Sequence, residues 1–147
     1  MLIKDLVKID EHGAFRSDVQ LSDYDDPKLN LDLLRSYIFT VSAPSASGAG
    51  RDFSAKDVLD RLKSAFSVER IENRFVLTAN FGRGKSHLAL TLANFFSRPA
   101  ESEEVRTIFE RLGQALNNPA ALSGYREFKQ SKGEFLVIRL RGDGFDD

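Results

Sequence analysis

The spacing of apolar and polar side chains predicts four helices after residue 50. Ser54 followed by Asp57 has the pattern of a helix N-cap with a capping box. Asn118-Pro119 suits an N-cap followed by proline at the first helical position. Helical spacing on one face is shown by four sets of apolar residues: Val58, Leu59, Leu62, Ala65 and Phe66; Leu88, Ala89, Leu92, Ala93 and Phe96; Val105, Ile108, Phe109, Leu112 and Leu116; Leu122, Tyr125 and Phe128.

Short continuous runs of apolar and β-branched residues predict strands. Arg74–Thr78 is typical of a short buried strand, and Phe135–Ile138 of a strand covered on both faces. Tyr37–Val41 has the composition of a strand or of the end of a helix, and the sequence leaves both open. The order strand, loop, helix, helices, strand predicts an α/β domain with a parallel sheet and flanking helices.

One loop between a predicted strand and a predicted helix carries candidate chemistry. It comprises Ala79, Asn80, Phe81, Gly82, Arg83, Gly84, Lys85 and Ser86. Its second half matches the phosphate-binding signature G-x-x-x-x-G-K-[ST], with Ala79 in place of the first glycine. Alanine fits there if its φ is negative. The pattern favours a P-loop NTPase-type fold, and a Gly-rich turn that binds nothing is the alternative.

Each residue type in this loop has a physical reason to be there. Gly82 and Gly84 allow backbone N–H groups to point inward and surround a phosphate. We expect Lys85 to contact the β- and γ-phosphates and the Ser86 hydroxyl to ligate Mg²⁺. His87 is included among the nucleotide-binding positions, and packing on the sheet is a better interpretation for it than general base catalysis. No guanine-recognition signature occurs, so ATP with Mg²⁺ is the expected ligand.

The residues that would complete hydrolysis cannot be assigned. Phe135–Ile138 is followed by Arg139-Leu140-Arg141, whereas a P-loop enzyme places an acid at a strand tip. Asp143, Asp146 and Asp147 come later, in a stretch typical of a loop or a solvated acidic terminus. Arg139 and Arg141 are the nearest candidates for an arginine finger. A parallel P-loop sheet ordinarily needs about five strands, so we expect an incomplete domain in a longer chain.

Composition narrows the class of protein only slightly. The sequence has 147 residues, 21 basic and 22 acidic side chains and a net charge of −1, so charge alone does not imply binding to nucleic acid. It contains no cysteine, which excludes a disulfide scaffold and a Cys-ligated zinc site. Charged residues interrupt the apolar opening, and the apolar stretch Leu88–Phe96 is far shorter than the roughly 20 residues that span a bilayer. We expect a cytoplasmic protein without membrane contacts.

Three stretches resemble the large P-loop, AAA-like ATPases of bacteriophage-exclusion (BREX) and phage growth limitation systems, the PglY type. These are the opening Ile3-Lys4-Asp5-Leu6, the loop Phe81–His87 and the apolar run Phe135–Ile138, and only the loop is specific. The resemblance implies a chain of about a thousand residues that uses ATP in bacterial antiviral defence. It also implies other protein subunits or further copies of the chain as partners, with DNA contacted only indirectly or through other regions.

The sequence thus divides into an irregular N-terminal segment, residues 1–50, and the N-terminal part of a P-loop ATPase domain, residues 51–147. Ser42–Gly50, rich in Ser, Gly and Ala, separates them as a linker or as a loop inside one domain. The leading hypothesis is an ATP-binding part of a larger ATPase. The alternative is a regulatory or structural module that binds nucleotide without turnover. A small kinase is disfavoured, because no substrate lid or second basic cluster is visible.

Overall fold

The computed structural model describes residues 19–42, 54–66, 74–78 and 84–140. These residues form five α-helices: α1 Pro27–Ser36, α2 Ala55–Ala65, α3 Lys85–Ser97, α4 Glu103–Leu116 and α5 Ser123–Lys132. Two short 3-10 helices, Leu21–Asp25 and Pro119–Leu122, precede α1 and α5. Segments that are neither helix nor strand follow α1, occupy residues 74–78 and follow α5.

The predicted α/β fold with a parallel sheet is wrong for the part of the chain that is described. Helices make up 67% of it, and no strand or sheet occurs in the described ranges. Residues 74–78 and 133–140 are assigned neither helix nor strand. A sheet requires a second backbone about 4.8 Å away that exchanges hydrogen bonds, and these segments do not provide one to each other. Strand-like composition therefore did not predict strand pairing.

The burial predicted for these segments is also wrong. In the predicted strand Arg74–Thr78, Phe75 is 40% exposed and Val76 is 90% exposed. After α5, side chains alternate: Phe135 and Val137 pack against the core, whereas Leu136 is 90% and Ile138 is 71% exposed. The last segment is therefore covered on one face only. One backbone bond fastens it, from Phe135 N–H to the carbonyl of Phe96 at 2.9 Å.

Helix ends follow the capping chemistry of the sequence. The Ser54 hydroxyl accepts from the Asp57 N–H, and the Asp57 carboxylate accepts from the Ser54 N–H, so the predicted capping box is confirmed. Three hydrogen bonds from Ser42 and Ser54 to this carboxylate lower the pKa of Asp57 to about 2. Asn118 caps the second 3-10 helix through its bond from Ala120 N–H, as predicted.

Asp26 and Pro27 start helix α1, a helix that the sequence pattern did not predict. The Asp26 carboxylate accepts from Leu29 N–H at 3.0 Å, and Pro27 occupies the start of the helix. An acidic residue therefore caps this helix and a proline opens it. Leu33 and Leu34 on α1 are buried. The helix lies within the segment that was expected to be irregular and packs against α4.

The core surrounds α3. Leu90 and Phe95 are 0% and 1% exposed, although the predicted apolar stripe of α3 omitted both. Leu88, Ala93 and Phe96 are buried as predicted, so α3 is covered on more sides than a surface helix. In the predicted stripe on α4, Leu116 is half-buried and the other four residues are buried: Val105, Ile108, Phe109 and Leu112. The three predicted positions around α5 are all buried: Leu122, Tyr125 and Phe128.

Aromatic rings connect the end of α3 to the extended segment after α5. The Phe135 ring lies 4.4 Å from the Phe66 ring and 5.6 Å from the Phe96 ring, centroid to centroid. The nearby Lys129 side chain is 1% exposed, and its ammonium donates to the carbonyls of Phe96 and Gly133. Burial lowers the pKa of Lys129. These contacts hold the C-terminal ends of α3 and α5 together.

Candidate phosphate-binding site

The candidate site lies where α3 begins. Gly84 is the N-cap residue and has left-handed backbone angles, φ 75° and ψ 20°. Glycine adopts this conformation without the Cβ penalty that other residues meet. Its carbonyl accepts the first helical hydrogen bond, from Leu88 N–H at 2.9 Å. Lys85 is therefore the first residue of a helix of 13 residues that follows a glycine turn.

The electrostatics of this helix end favour an anion. The first N–H groups of any α-helix lack intrahelical acceptors, and the helix dipole adds positive potential there. The first turn of α3 contains no acidic residue that would cancel this potential. Lys85 adds a positive charge and is half-buried, and the Ser86 hydroxyl lies on an exposed residue. Backbone dipole and side-chain charge therefore have the same sign.

Part of the predicted site falls outside the described residues: Ala79, Asn80, Phe81, Gly82 and Arg83. The structure therefore places four of the predicted positions, Gly84 to His87, and brings them together in one turn.

The His87 side chain contacts α1. Its Nε2 lies 2.7 Å from the Leu33 carbonyl oxygen, and its ring meets the Tyr37 ring edge-on at 4.8 Å. Because a carbonyl only accepts, the proton of the neutral imidazole is on Nε2. Burial, partly opposed by this hydrogen bond, lowers the pKa of His87 below its ordinary value of 6.5. His87 thus fastens the start of α3 to α1, in place of the expected packing on a sheet.

The hydrolytic residues considered from the sequence gain no support from their positions. Asp143, Asp146, Asp147 and Arg141 lie outside the described residues. The Arg139 guanidinium donates to the Leu21 carbonyl at 3.0 Å and to the Asp25 carboxylate at 2.7 Å, and it lies 4.2 Å from the centroid of the Tyr24 ring. These contacts give Arg139 a structural role. Among the described residues, no group of three or more His, Cys, Asp or Glu side chains could hold a metal ion.

The chain matches no model of a protein family, no curated protein sequence and no solved structure. Within the described ranges, no helix is long and apolar enough to cross a membrane.

Sequence patterns gave no indication of a second concave site. A cavity of about 440 Å³ is lined by residues of α4, of α5 and of the chain around them, among them Arg106, Phe109 and Arg126. These residues come from two helices and form no local motif. The only sequence feature related to this cavity is the spacing of two arginines: Arg106 is three residues before Phe109, and Arg126 is four residues after Leu122. Many surface helices share such a spacing.

Proposed function

We propose that the chain binds ATP together with Mg²⁺ at the loop 79–86 and the N-terminus of α3. The observation that supports this most is the turn at Gly84. Its left-handed backbone leads directly into Lys85 and Ser86 at the positive end of a helix. A glycine turn followed by Lys and Ser at a helix N-terminus is the arrangement that phosphate-binding loops use.

The residues present fit the chemistry of a magnesium–triphosphate complex. The Lys85 ammonium would contact the β- and γ-phosphates, and the Ser86 hydroxyl would be one oxygen ligand of Mg²⁺. Backbone N–H groups of the first turn of α3 would donate to phosphate oxygens. His87 acts indirectly, because its hydrogen bond to the Leu33 carbonyl holds the start of α3 against α1.

We further propose that this binding serves a larger ATPase. Three apolar side chains on one face of the segment after α5 are exposed: Leu136 at 90%, Ile138 at 71% and Leu140 at 83%. Exposed apolar side chains that lie together in a patch mark surfaces that other protein covers. Additional protein could also supply the acid and the arginine that hydrolysis requires. We propose an antiviral role on the resemblance of the opening residues, the loop and the run Phe135–Ile138 alone.

Magnesium dependence tests the proposal through Ser86. Ser86→Ala should weaken ATP binding in the presence of Mg²⁺ more than in its absence, because only the contact between hydroxyl and metal is lost. The measurement is an ATP titration by calorimetry, with Mg²⁺ and with a chelator, on both proteins. Ser102→Ala, which removes the N-cap of α4, is a matched control.

The control should change stability and leave the magnesium dependence of ATP binding as in the wild type. An equal loss of affinity in Ser86→Ala with and without Mg²⁺ would instead assign the Ser86 hydroxyl to the helix end.

A further inference from the structure

The cavity at α4 and α5 has an apolar floor. Phe109 and Leu122 line it and are 8% and 6% exposed. Gly113 on α4 also lines it, and a Cβ there would lie 3.0 Å from Leu122 Cδ1. The absent side chain of Gly113 therefore keeps part of this space open. A volume of about 440 Å³ is within the range of small-molecule sites, roughly 300–1,000 Å³.

Two arginines line the same cavity without an acidic partner. Arg106 and Arg126 are exposed, and within the described ranges neither forms an ion pair. The Arg126 guanidinium lies over the Phe109 ring, 5.6 Å from its centroid. Glu110 also lines the cavity and pairs with neither arginine in the described structure. The lining therefore carries two positive charges and one negative charge.

Three other arginines of this fold lie within 4 Å of a carboxylate. Arg35 pairs with Glu103 at 2.8 Å, Arg98 lies 3.8 Å from Glu104, and Arg139 pairs with Asp25 at 2.7 Å. Among the described residues, the two guanidinium groups at the cavity have no carboxylate partner, so their donors are available next to an apolar surface. Guanidinium groups bind carboxylates and phosphates through paired hydrogen bonds.

We propose that this cavity binds a small organic anion. The apolar body of the ligand packs on Phe109, Leu122 and Gly113, and its carboxylate or phosphate accepts hydrogen bonds from Arg106 and Arg126. The site shares no residue with the loop 79–86, so it is independent of the proposed ATP binding. The apolar floor and the two arginines at the rim together favour an amphipathic anion over a simple inorganic ion.

An NMR titration of the ¹⁵N-labelled chain tests this site with three probes: 3-phenylpropanoate, phenyl phosphate and inorganic phosphate. We expect saturable shifts of the backbone amides of Phe109, Gly113 and Leu122 with one or both organic anions, at dissociation constants of about 1 mM or tighter. The order of the two organic anions identifies the preferred charged group. Absence of saturable shifts at these amides with both organic anions would overturn the proposal, and so would equally tight binding of inorganic phosphate.

Variants separate the charged rim from the apolar floor. Arg106→Glu combined with Arg126→Glu should raise the dissociation constant of the tighter-binding organic anion about tenfold or more. Arg111→Glu is the matched control, because Arg111 is on the same helix, bonds Gln114 and does not line the cavity. Gly113→Ala should weaken the binding of both organic anions, because the added methyl group takes up space next to Leu122. An equal loss in the Arg111 control and in the double variant would contradict the proposed site.

Discussion

Asn30 and Asn94 join α1 to α3 at the scale of single residues. Their side-chain amides exchange two hydrogen bonds, at 2.9 and 2.8 Å, and both residues are 0% exposed. Such a pair contributes modestly when complete, but a buried amide left without its partner costs about 1–3 kcal/mol. The pair therefore specifies how α1 lies on α3 more than it adds stability.

Asn30→Ala should lower the free energy of unfolding by about 1–3 kcal/mol, because it leaves Asn94 buried without that partner. The double variant Asn30→Ala, Asn94→Ala should cost less than the sum of the two single variants, since neither amide is then left unmatched. Urea unfolding of the four proteins measures this coupling. Simple additivity of the two losses would show that the amides do not depend on each other.

His87 gives the fold a defined dependence on pH. Burial lowers its pKa in the folded protein below 6.5, so the unfolded chain binds the His87 proton more readily. Stability therefore rises with pH between the lowered folded-state value and 6.5, and this contribution is complete above 6.5.

We expect His87→Gln to remove this part of the pH dependence. The measurement is urea unfolding at about pH 5 and about pH 8, where the wild type should lose more stability on acidification than the variant. An identical loss in both proteins would place the His87 side chain in solvent instead of against Leu33 and Tyr37.

At the scale of elements, the sequence predicted helices well and pairing of strands poorly. Caps and apolar stripes act within a few residues, so Ser54 with Asp57 and the stripe of α4 could be identified locally. Helix α1 was missed because Asp26 and Pro27 suit both a turn and a helix start. A sheet depends on a second backbone that is distant in sequence, and composition of the run Phe135–Ile138 does not contain that information.

The segment after α5 packs on the core through one face only, and adjacent substitutions test this. Phe135→Ala should destabilise the protein by about 2 kcal/mol or more, because it removes ring contacts with Phe66 and Phe96. Leu136→Ala, the adjacent control, should change stability by no more than about 0.5 kcal/mol, because Leu136 is 90% exposed. Thermal or urea unfolding compares them. Similar losses in both variants would mean that Leu136 is also covered.

At the scale of the whole molecule, one helix serves both stability and the candidate site. The second half of α3 holds Phe95 and Phe96 in the core, while its first turn presents Lys85 and Ser86. The glycine, lysine and serine of this turn could be predicted because they form a local motif. The contact of His87 with α1 and the cavity between α4 and α5 could not, because they depend on how helices pack.

Calorimetry of ATP binding with Lys85→Ala tests whether the first turn of α3 binds the phosphates of ATP. Lys132→Ala is the matched control, since Lys132 is an exposed lysine at the end of α5. We predict that wild type and the Lys132 variant bind ATP with Mg²⁺ equally, and that Lys85→Ala loses about 1.5–3 kcal/mol of binding free energy, roughly 10- to 150-fold in affinity. Equal affinity in all three proteins, or no binding by the wild type, would show that this turn does not bind the phosphates of ATP.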